Sequence, residues 1–415
     1  MSQIHEFLEV DLQQWAERVK KELKAPHTFE SLQWQVSEFF NLDPIYDATI
    51  FEKENLGYLQ SFHKRWAEAR TKQRPDILAF ADPFQAENQE KFTIAETYNF
   101  QSWVSGSYLE QTGSLPISVR KPDAEISNLT KNSEADPLMD GLSIGKWKPF
   151  SSSDLEKCTI HIHTSDVHNA GGSAVQEIAT ALLAAEHYRQ TLEDNSQWTN
   201  SAVIHLGIGP LFWLELAKIR AMRLLYINFC EVNSLDVKAG NIRTETSKLY
   251  WSKIDSELNL LRHSSEVLSS VLGGADQILV YPHTFEKNKT LDASRLAVNI
   301  PLLAFEEANL LAHFDPASGA YILERLTHKL AEAAWKLFSE WNEIGFENMV
   351  KCNKLQSEIQ KNAEILKNKF ANKEIQMVGV NVYTSPMAKA SPAFPVKSPI
   401  ENPEFQPLAP IFLDA

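Results

Sequence analysis

Cysteine and positive charge are both scarce in this sequence, and each shortage excludes a class of protein. The three cysteines, Cys158, Cys230 and Cys352, contain no CxxC spacing, which argues against a disulfide framework and against a cysteine zinc site. Lys and Arg number 40 against 54 Asp and Glu, and the formal net charge is −14. Because nucleic-acid affinity depends on cationic side chains that neutralise phosphates, we expect no nucleic-acid partner.

Long apolar runs are also missing. No stretch reaches the roughly 18 uninterrupted apolar residues of a membrane span, and the N-terminal "MSQIHEFLEVDLQQW" is charged and amphipathic rather than a signal peptide. The chain has 415 residues, of which 43% are hydrophobic, enough for one large barrel with appendages. We therefore predict a cytoplasmic protein with no membrane partner.

From residue 158 onward, strand-like and helix-like segments alternate. The strand-like segments are "CTIHIHTS", "SAVIHLGIG", "GNIRTETS" and "DQILVY", and the helices that follow them are predicted over residues 173–192, 211–228, 256–272 and 293–312. Residues 320–370 are mostly helical by the same criterion, and "IQMVGVNVY" is one more extended piece. Such alternation is typical of a parallel sheet or a (β/α)8 barrel.

The segments outside the alternating strands and helices define the ends of the predicted domains. Apolar positions at helical spacing predict an N-terminal helix over residues 3–24, and the polar, proline-containing residues 120–150 predict a long surface connection. Prolines recur from Pro386 to Pro410, which indicates a tail that wraps around a folded body. We predict an α/β fold, a (β/α)8 TIM barrel over 46–370, with a helical arm for subunit contact over 1–45 and an extended tail over 371–415.

Five stretches resemble, in collinear order, segments of one known family. They are "LQWQVSEFFNLDPIYDA" (32–48), "LELAKIRAMRLLY" (214–226), "NLLRHSSEVLSSVLGGAD" (259–276), "FDPASGAYILERLTHKLAEAAWKLF" (314–338) and "MVGVNVY" (377–383). The family is that of methylmalonyl-CoA mutase, whose substrate domain is a (β/α)8 barrel. The resemblance implies an adenosylcobalamin-dependent intramolecular transferase that converts methylmalonyl-CoA to succinyl-CoA in propionate metabolism.

The stretch "SDVHNAGGS", residues 165–173, also spells a cobalamin-binding pattern. Asp166, His168 and Gly171 read as D-x-H-x-x-G, in which the His is the lower cobalt ligand and the Asp holds its other ring nitrogen. That pattern needs a Ser-x-Leu about forty residues further on, and none stands near Trp213. We interpret the spelling as accidental. His168 remains a minor candidate for cofactor binding and is otherwise expected to be an exposed loop histidine at the barrel mouth.

The resemblance gives the same stretch another meaning. The family carries "SGYHIQEAGA" between a strand and a helix, so that Ser165 lies at the family's Tyr and Asp166 at its catalytic His. An aspartate there puts negative charge where the substrate carboxylate and thioester oxygen need hydrogen-bond donors. We therefore assign no catalytic residue and regard Ser165 and Asp166 only as the residues at the Tyr-His positions.

Substrate-binding candidates come from a second family segment, "HxQTSG", which is "RTETSK" here. Arg243 lies at the family's His, and Thr246 and Ser247 are retained. The family's tyrosine-bearing segment "GPYxTMY", expected before "FTIAETYNF", has no match. These departures resemble most the small, non-catalytic subunit of heterodimeric mutases. Within 415 residues we expect no C-terminal cobalamin domain.

That branch implies the partners. We expect a heterodimer with a catalytic large subunit and a homodimer when the chain is alone, with adenosylcobalamin in the assembled enzyme but not on this chain, and an acyl-CoA as a ligand. Whether the chain is itself an enzyme stays open. Two alternatives are kept: a catalytic acyl-CoA mutase barrel that uses a cobalamin domain on a separate chain, and a free-standing CoA-thioester binder.

Two further groups of charged or metal-ligating residues are candidates for binding. Lys218, Arg220 and Arg223 share one helix and suit a CoA phosphate, but a solvated or ion-paired helix face is the favoured interpretation. His161 and His163 share one face of a strand, and His205 on the next strand is placed to join them. Because two histidines are weak evidence for a metal, we favour core packing and predict no metal site.

Overall fold

A computed structural model describes residues 11–36, 38–69, 75–80, 101–105, 117–120, 133–147, 150, 159–192, 202–235, 241–286, 290–387, 389–391 and 403–414. Two short strands, β1 (Trp34–Gln35) and β2 (Asn41–Leu42), form an antiparallel ribbon. The other strands are β3 (Asp76–Phe80), β4 (Gln101–Ser105), β5 (Ile117–Arg120), β6 (Ser133–Ala135), β7 (Thr159–Ile162), β8 (Val203–Ile208), β9 (Asn241–Thr246) and β10 (Gln277–Val280).

The described helices lie before, between and after these strands. They are α1 (Leu12–Glu22), α2 (Thr49–Lys53), α3 (Tyr58–Ala69), α4 (Pro137–Ile144), α5 (Ser165–Asn169), α6 (Ala174–Thr191), α7 (Phe212–Val232), α8 (Ser256–Leu272), α9 (Thr290–Leu302), α10 (Tyr321–Asn342), α11 (Phe346–Lys351) and α12 (Lys354–Ala371). None of the helices in the described ranges combines the length and the hydropathy needed to cross a bilayer.

Strands β3 to β10 pair in parallel, each with its neighbours in the chain. The hydrogen-bonded order is closed, because β10 pairs both with β9 and with β3. A described helix follows each of the five strands from β6 to β10. The predicted α/β class with a parallel sheet is therefore confirmed, and the finer assignment to a (β/α)8 barrel is taken up below.

The strands present opposite chemistry on their two faces, since successive side chains alternate. Ile162, Ile204, Leu206 and Ile242 belong to one apolar cluster with helices α6 and α7. Helix α6 is fixed at its start by a capping box, in which Ser173 and Gln176 satisfy each other's backbone N–H groups. The helix-facing side of the sheet is thus ordinary core, and the opposite side carries the polar residues described below.

Three sequence predictions need correction. Part of the predicted surface connection over 120–150 is strand β6 and the buried helix α4, because Asp136 caps the helix and Pro137 occupies its first turn. The segment "IQMVGVNVY" forms turns with an isolated bridge between Val378 and Val382, not a strand. The helix predicted to end at 312 ends at Leu302 and continues as a single π turn to Glu307.

The remaining helix predictions hold within the described residues, although the first part of the helix predicted over 3–24 lies outside them. The tail lies along the folded body: the backbone N–H groups of Leu408 and Ile411 donate to the carbonyls of Leu142 and Asn169, and the Asp414 carboxylate accepts from the Lys253 N–H. The division into domains at residues 45 and 370 stays a prediction.

A buried ionic cluster ties α3 to α7 and α10. His63 Nδ1 lies 2.5 Å from Asp315 and its Nε2 lies 3.0 Å from Glu324, while Arg220 approaches the same two carboxylates at 3.1 and 3.2 Å. Burial lowers the pKa of His63, but hydrogen bonds to Asp315 and Glu324 outweigh it and raise that pKa to about 9. The imidazolium form is therefore the folded form at neutral pH.

This cluster predicts a pH-dependent contribution from His63. Since its folded pKa is raised, the stabilisation is complete below the ordinary value of about 6.5 and is lost as pH rises through about 9. Urea unfolding should show a gap between wild type and His63→Gln that is wide at about pH 6 and narrows by about pH 10. The exposed His313, changed to Gln, is the control and should show no such trend. An equal gap at both pH values would contradict the assignment.

Candidate functional site

The face opposite the helices carries a row of buried histidines. Strand register pairs His161 with Val203, so His205 lies one pleat further along the same face, beside His163. The His161 and His205 rings meet through Nδ1 and Nε2, 2.6 Å apart, and the His163 and His205 ring centroids are 4.0 Å apart. All three side chains are buried. The third histidine therefore joins the pair that the sequence singled out.

Carboxylates hold two of these rings. His205 Nδ1 lies 2.6 Å from Glu245 Oε1, and the Tyr281 hydroxyl donates to Glu245 Oε2 at 2.9 Å. His163 Nδ1 lies 3.2 Å from Asp136 Oδ2, and its backbone N–H donates to the same oxygen at 2.6 Å. Through His161, His205 and Glu245, one hydrogen-bonded chain thus crosses β7, β8 and β9.

Sequence reasoning missed Asp136, Glu245 and Tyr281 as members of this site. Asp136 has a recognisable signal, since Asp before Pro is a helix cap and capping places the carboxylate at a strand end. Glu245 lies on the same face as Arg243 within "RTETSK", two residues apart. Only strand register brings it to His205, and register is a tertiary property.

Ser165 and Asp166, the residues at the family's Tyr-His positions, lie on the short helix α5. Ser165 is buried, and Asp166 is half-buried and accepts a hydrogen bond from the Ser143 hydroxyl at 2.9 Å. The Asp166 carboxylate is thereby tied to α4.

His168 is not the exposed loop residue that we predicted. Helix α5 folds it against β8 and β9, where it is buried, with its Nε2 2.8 Å from Ser247 Oγ. Its ring packs so closely on Gly207 that a Cβ there would lie 2.6 Å from the ring. Burial, with a smaller effect of nearby Lys218, lowers the pKa of His168 well below its ordinary value, which keeps the imidazole neutral.

This geometry does not fit His168 as a cobalt ligand. A lower ligand must present a ring nitrogen to the open face of a corrin, whereas the Nε2 of His168 bonds Ser247 and the ring edge packs on Gly207. The interpretation of D-x-H-x-x-G as accidental rests on this packing as well as on the sequence. His168 is therefore not assigned as a cobalamin ligand.

The candidate substrate residues engage other protein groups. Arg243 is buried, and its Nε donates to Gln277 at 2.8 Å. The Thr246 hydroxyl accepts from the Tyr281 N–H at 2.9 Å. The Ser247 hydroxyl pairs with His168 as described. The three lie near one another at the end of β9, but each contributes to internal structure, and a role in substrate binding stays a prediction.

The three cations of α7 are ion-paired, as favoured, but they are buried rather than solvated. Lys218 Nζ lies 2.7 Å from Glu177 and 2.6 Å from Glu215. Arg223 lies 2.7 Å from Asp276 and over the Trp66 ring at 5.0 Å. Arg220 pairs with Asp315 and Glu324, so all three cationic groups are engaged in buried ion pairs and none is exposed to meet a CoA phosphate.

The parallel sheet, with a described helix after each strand from β6 to β10, defines an α/β protein. The family model for methylmalonyl-CoA mutase matches residues 142–408. This is more than half of the chain, and the chain belongs to the methylmalonyl-CoA mutase family.

Similar proteins of known name belong to the same family. The chain is 25% identical over 401 residues to the methylmalonyl-CoA mutase small subunit of Porphyromonas gingivalis, covering 82% of this chain and 64% of that protein. It is 34% identical over 180 residues to the small subunit of Streptomyces virginiae (42% and 29%). It is 30% identical over 211 residues to that of Propionibacterium freudenreichii subsp. shermanii (49% and 33%). The matches thus span less than two thirds of these relatives' lengths.

Proposed function

We propose that this chain is the small-subunit component of an adenosylcobalamin-dependent methylmalonyl-CoA mutase, a non-catalytic (β/α)8 barrel that supports a catalytic large subunit. The observation that carries the proposal is the inner face of the sheet. There, His161, His205, Glu245 and Tyr281 are buried and bonded to one another. In the family the barrel houses the substrate, and here protein side chains occupy that face.

An acyl-CoA entering along this face would have to break the hydrogen-bonded chain. Each buried polar group left without a partner costs about 1–3 kcal/mol, so separating these four residues opposes entry. Arg243 and Trp251, also buried, add bulk. The cost supports a packed interior over an open substrate channel, and so supports the partner role over the free-standing CoA binder.

Asp166 supports the same conclusion electrostatically. At the family's catalytic His position, this chain has a carboxylate that Ser143 holds in place. A substrate carboxylate and a developing oxyanion both need donors there, and like charges repel strongly in a desolvated site. We propose that the catalytic groups, and adenosylcobalamin with them, belong to the large subunit.

The surface of α1 supports the proposal of a partner subunit. Leu12, Trp15, Ala16 and Val19 form one half-buried stripe at helical spacing, and no residue of the helix is fully buried. Trp15 packs edge-on against Phe29, with ring centroids 6.1 Å apart. A large apolar stripe left partly in water is typical of a surface that a second subunit covers. We propose that this arm contacts the large subunit, or a second copy when the chain is alone.

Association should depend on that stripe. Replacing Trp15 and Val19 together by Ser should weaken the complex with the large subunit about tenfold or more, because a buried Trp is a typical interface anchor. Deleting residues 1–24 should weaken it further and leave the barrel folded. Co-purification with light scattering measures both effects.

The matched control replaces Gln13 and Glu17, on the exposed side of α1, by Ser. It should leave the complex intact. A monomer at micromolar concentration with the large subunit present and no complex would overturn the subunit role and favour the free-standing CoA binder.

A further inference from the structure

We propose that His161, His163 and His205 form a buried binding site for a divalent cation of the zinc class. One ring nitrogen from each residue lies within 4.8 Å of the others, and all three residues are buried. Imidazole nitrogen is a preferred zinc ligand. The site comes from two adjacent strands and the residue after β7, so its ligands are held by rigid sheet rather than by a loop.

The hydrogen bonds around the rings select which nitrogen faces the cation. Glu245 engages Nδ1 of His205 and Asp136 engages Nδ1 of His163, so Nε2 is the nitrogen through which either ring would bind a cation. In His205 this Nε2 contacts His161 Nδ1. A carboxylate on the far nitrogen is the usual outer partner of a zinc-bound histidine, because it fixes the tautomer and raises ligand basicity. Core packing alone does not require a carboxylate on the far nitrogen of each of two neighbouring histidines.

Charge balance supports the same assignment. Three neutral imidazoles carry no charge, and the two carboxylates beside them supply the two negative charges that a buried dication needs. Hydroxyl donors complete those carboxylates: Tyr281 on Glu245, and Tyr188 on Asp136 at 3.0 Å. The ligands, their outer partners and the donors behind them thus form one layered arrangement.

The three histidines can also pack together without a cation, held by a hydrogen bond between two of the rings. This cation-free cluster is the competing outcome of the test. The 2.6 Å contact joins His161 Nδ1 and His205 Nε2 and holds one proton between them. Binding a cation through both nitrogens moves that proton, by exchange with solvent, from Nδ1 to Nε2 of His161, so the ring stays neutral. The two nitrogens then separate to about 3.3 Å, the spacing of tetrahedral ligands at zinc–nitrogen bonds of about 2.0–2.1 Å. Three protein nitrogens leave the fourth position for water.

The test uses the full chain expressed with added zinc. Elemental analysis of the purified protein should give about one zinc per chain, and Co²⁺ titration of chelator-treated protein should give the visible absorption of a tetrahedral site. His205→Ala should remove both signals. Glu245→Gln, which keeps size and a hydrogen bond, should weaken binding roughly 10–100-fold. His313→Ala, at an exposed histidine, should bind like wild type.

Two results would overturn the site: wild-type protein with neither zinc nor a tetrahedral Co²⁺ spectrum, or His205→Ala that keeps both. If His205→Ala does not fold, judged by circular dichroism, the decision passes to Glu245→Gln. An unchanged affinity in that variant contradicts the proposed role of Glu245 and with it the site.

Discussion

Replacing Lys218 by Met lowers the free energy of unfolding by about 3–5 kcal/mol, because removing one partner leaves buried charge without compensation. The Lys218 ammonium is buried between Glu177 and Glu215 and also donates to the Gly207 carbonyl. Although burial lowers the pKa of Lys218, the two carboxylates outweigh it and raise that pKa above its ordinary value. The Lys218 ammonium is therefore charged. Met in its place would leave the Glu177 and Glu215 carboxylates beside an apolar side chain.

Urea unfolding of wild type and Lys218→Met measures the loss. The matched control is Lys361→Met, which removes an exposed i,i+3 partner of Glu358. Exposed pairs of this kind contribute about 0.5 kcal/mol or less. A loss at Lys218 no larger than at Lys361 would mean that the ion pairs of α6 and α7 do not hold these helices together.

The second large effect is expected for Gly171→Ala, which should lower the free energy of unfolding by about 2–5 kcal/mol. Gly171 has a φ of +90°, a region that costs an L-residue about 1–2 kcal/mol. A Cβ there would lie 2.7 Å from the Ala363 Cβ and 2.9 Å from the Ala363 Cα. Because that backbone cannot yield easily, overpacking adds about 1–3 kcal/mol. The glycine is needed where the turn after α5 meets α12.

Gly345→Ala separates the two causes. Gly345 has a φ of +83°, but a Cβ there meets nothing within 4 Å. Its substitution should show the backbone cost alone, about 1–2 kcal/mol. The difference between the two variants, measured by urea unfolding, is the cost of packing α5 against α12. Equal losses would contradict that contact.

The spacing of hydrophobic residues and the residues typical of helix ends were enough to predict much of the fold. The helix predicted over 256–272 is α8 with the same bounds, and the four central strands were predicted within a few residues. The alternation of strand-like and helix-like segments predicted the parallel sheet, and the family resemblance added the expectation of a (β/α)8 barrel. These features are local, so the sequence states them directly.

What could not be predicted depends on contacts between distant segments. Polar residues and prolines over 120–150 read as a surface loop, yet Asp136 and Pro137 start a buried helix whose neighbours come from elsewhere in the chain. His168 looked like a loop residue, but packing on Gly207 buries it. The sequence showed His161 and His163 on one strand and His205 on the next, whereas the strand register that brings Glu245 to His205 was not visible.

The central claim is that this chain supports a mutase without performing its chemistry. Its most direct test is the mutase activity of a complex of this chain with the catalytic large subunit, assembled with Asp166→Asn or Ser165→Ala in this chain. We expect activity within about twofold of the wild-type complex. This chain alone with adenosylcobalamin should show no activity. A loss of about tenfold or more in an intact complex, or turnover by this chain alone, would contradict it.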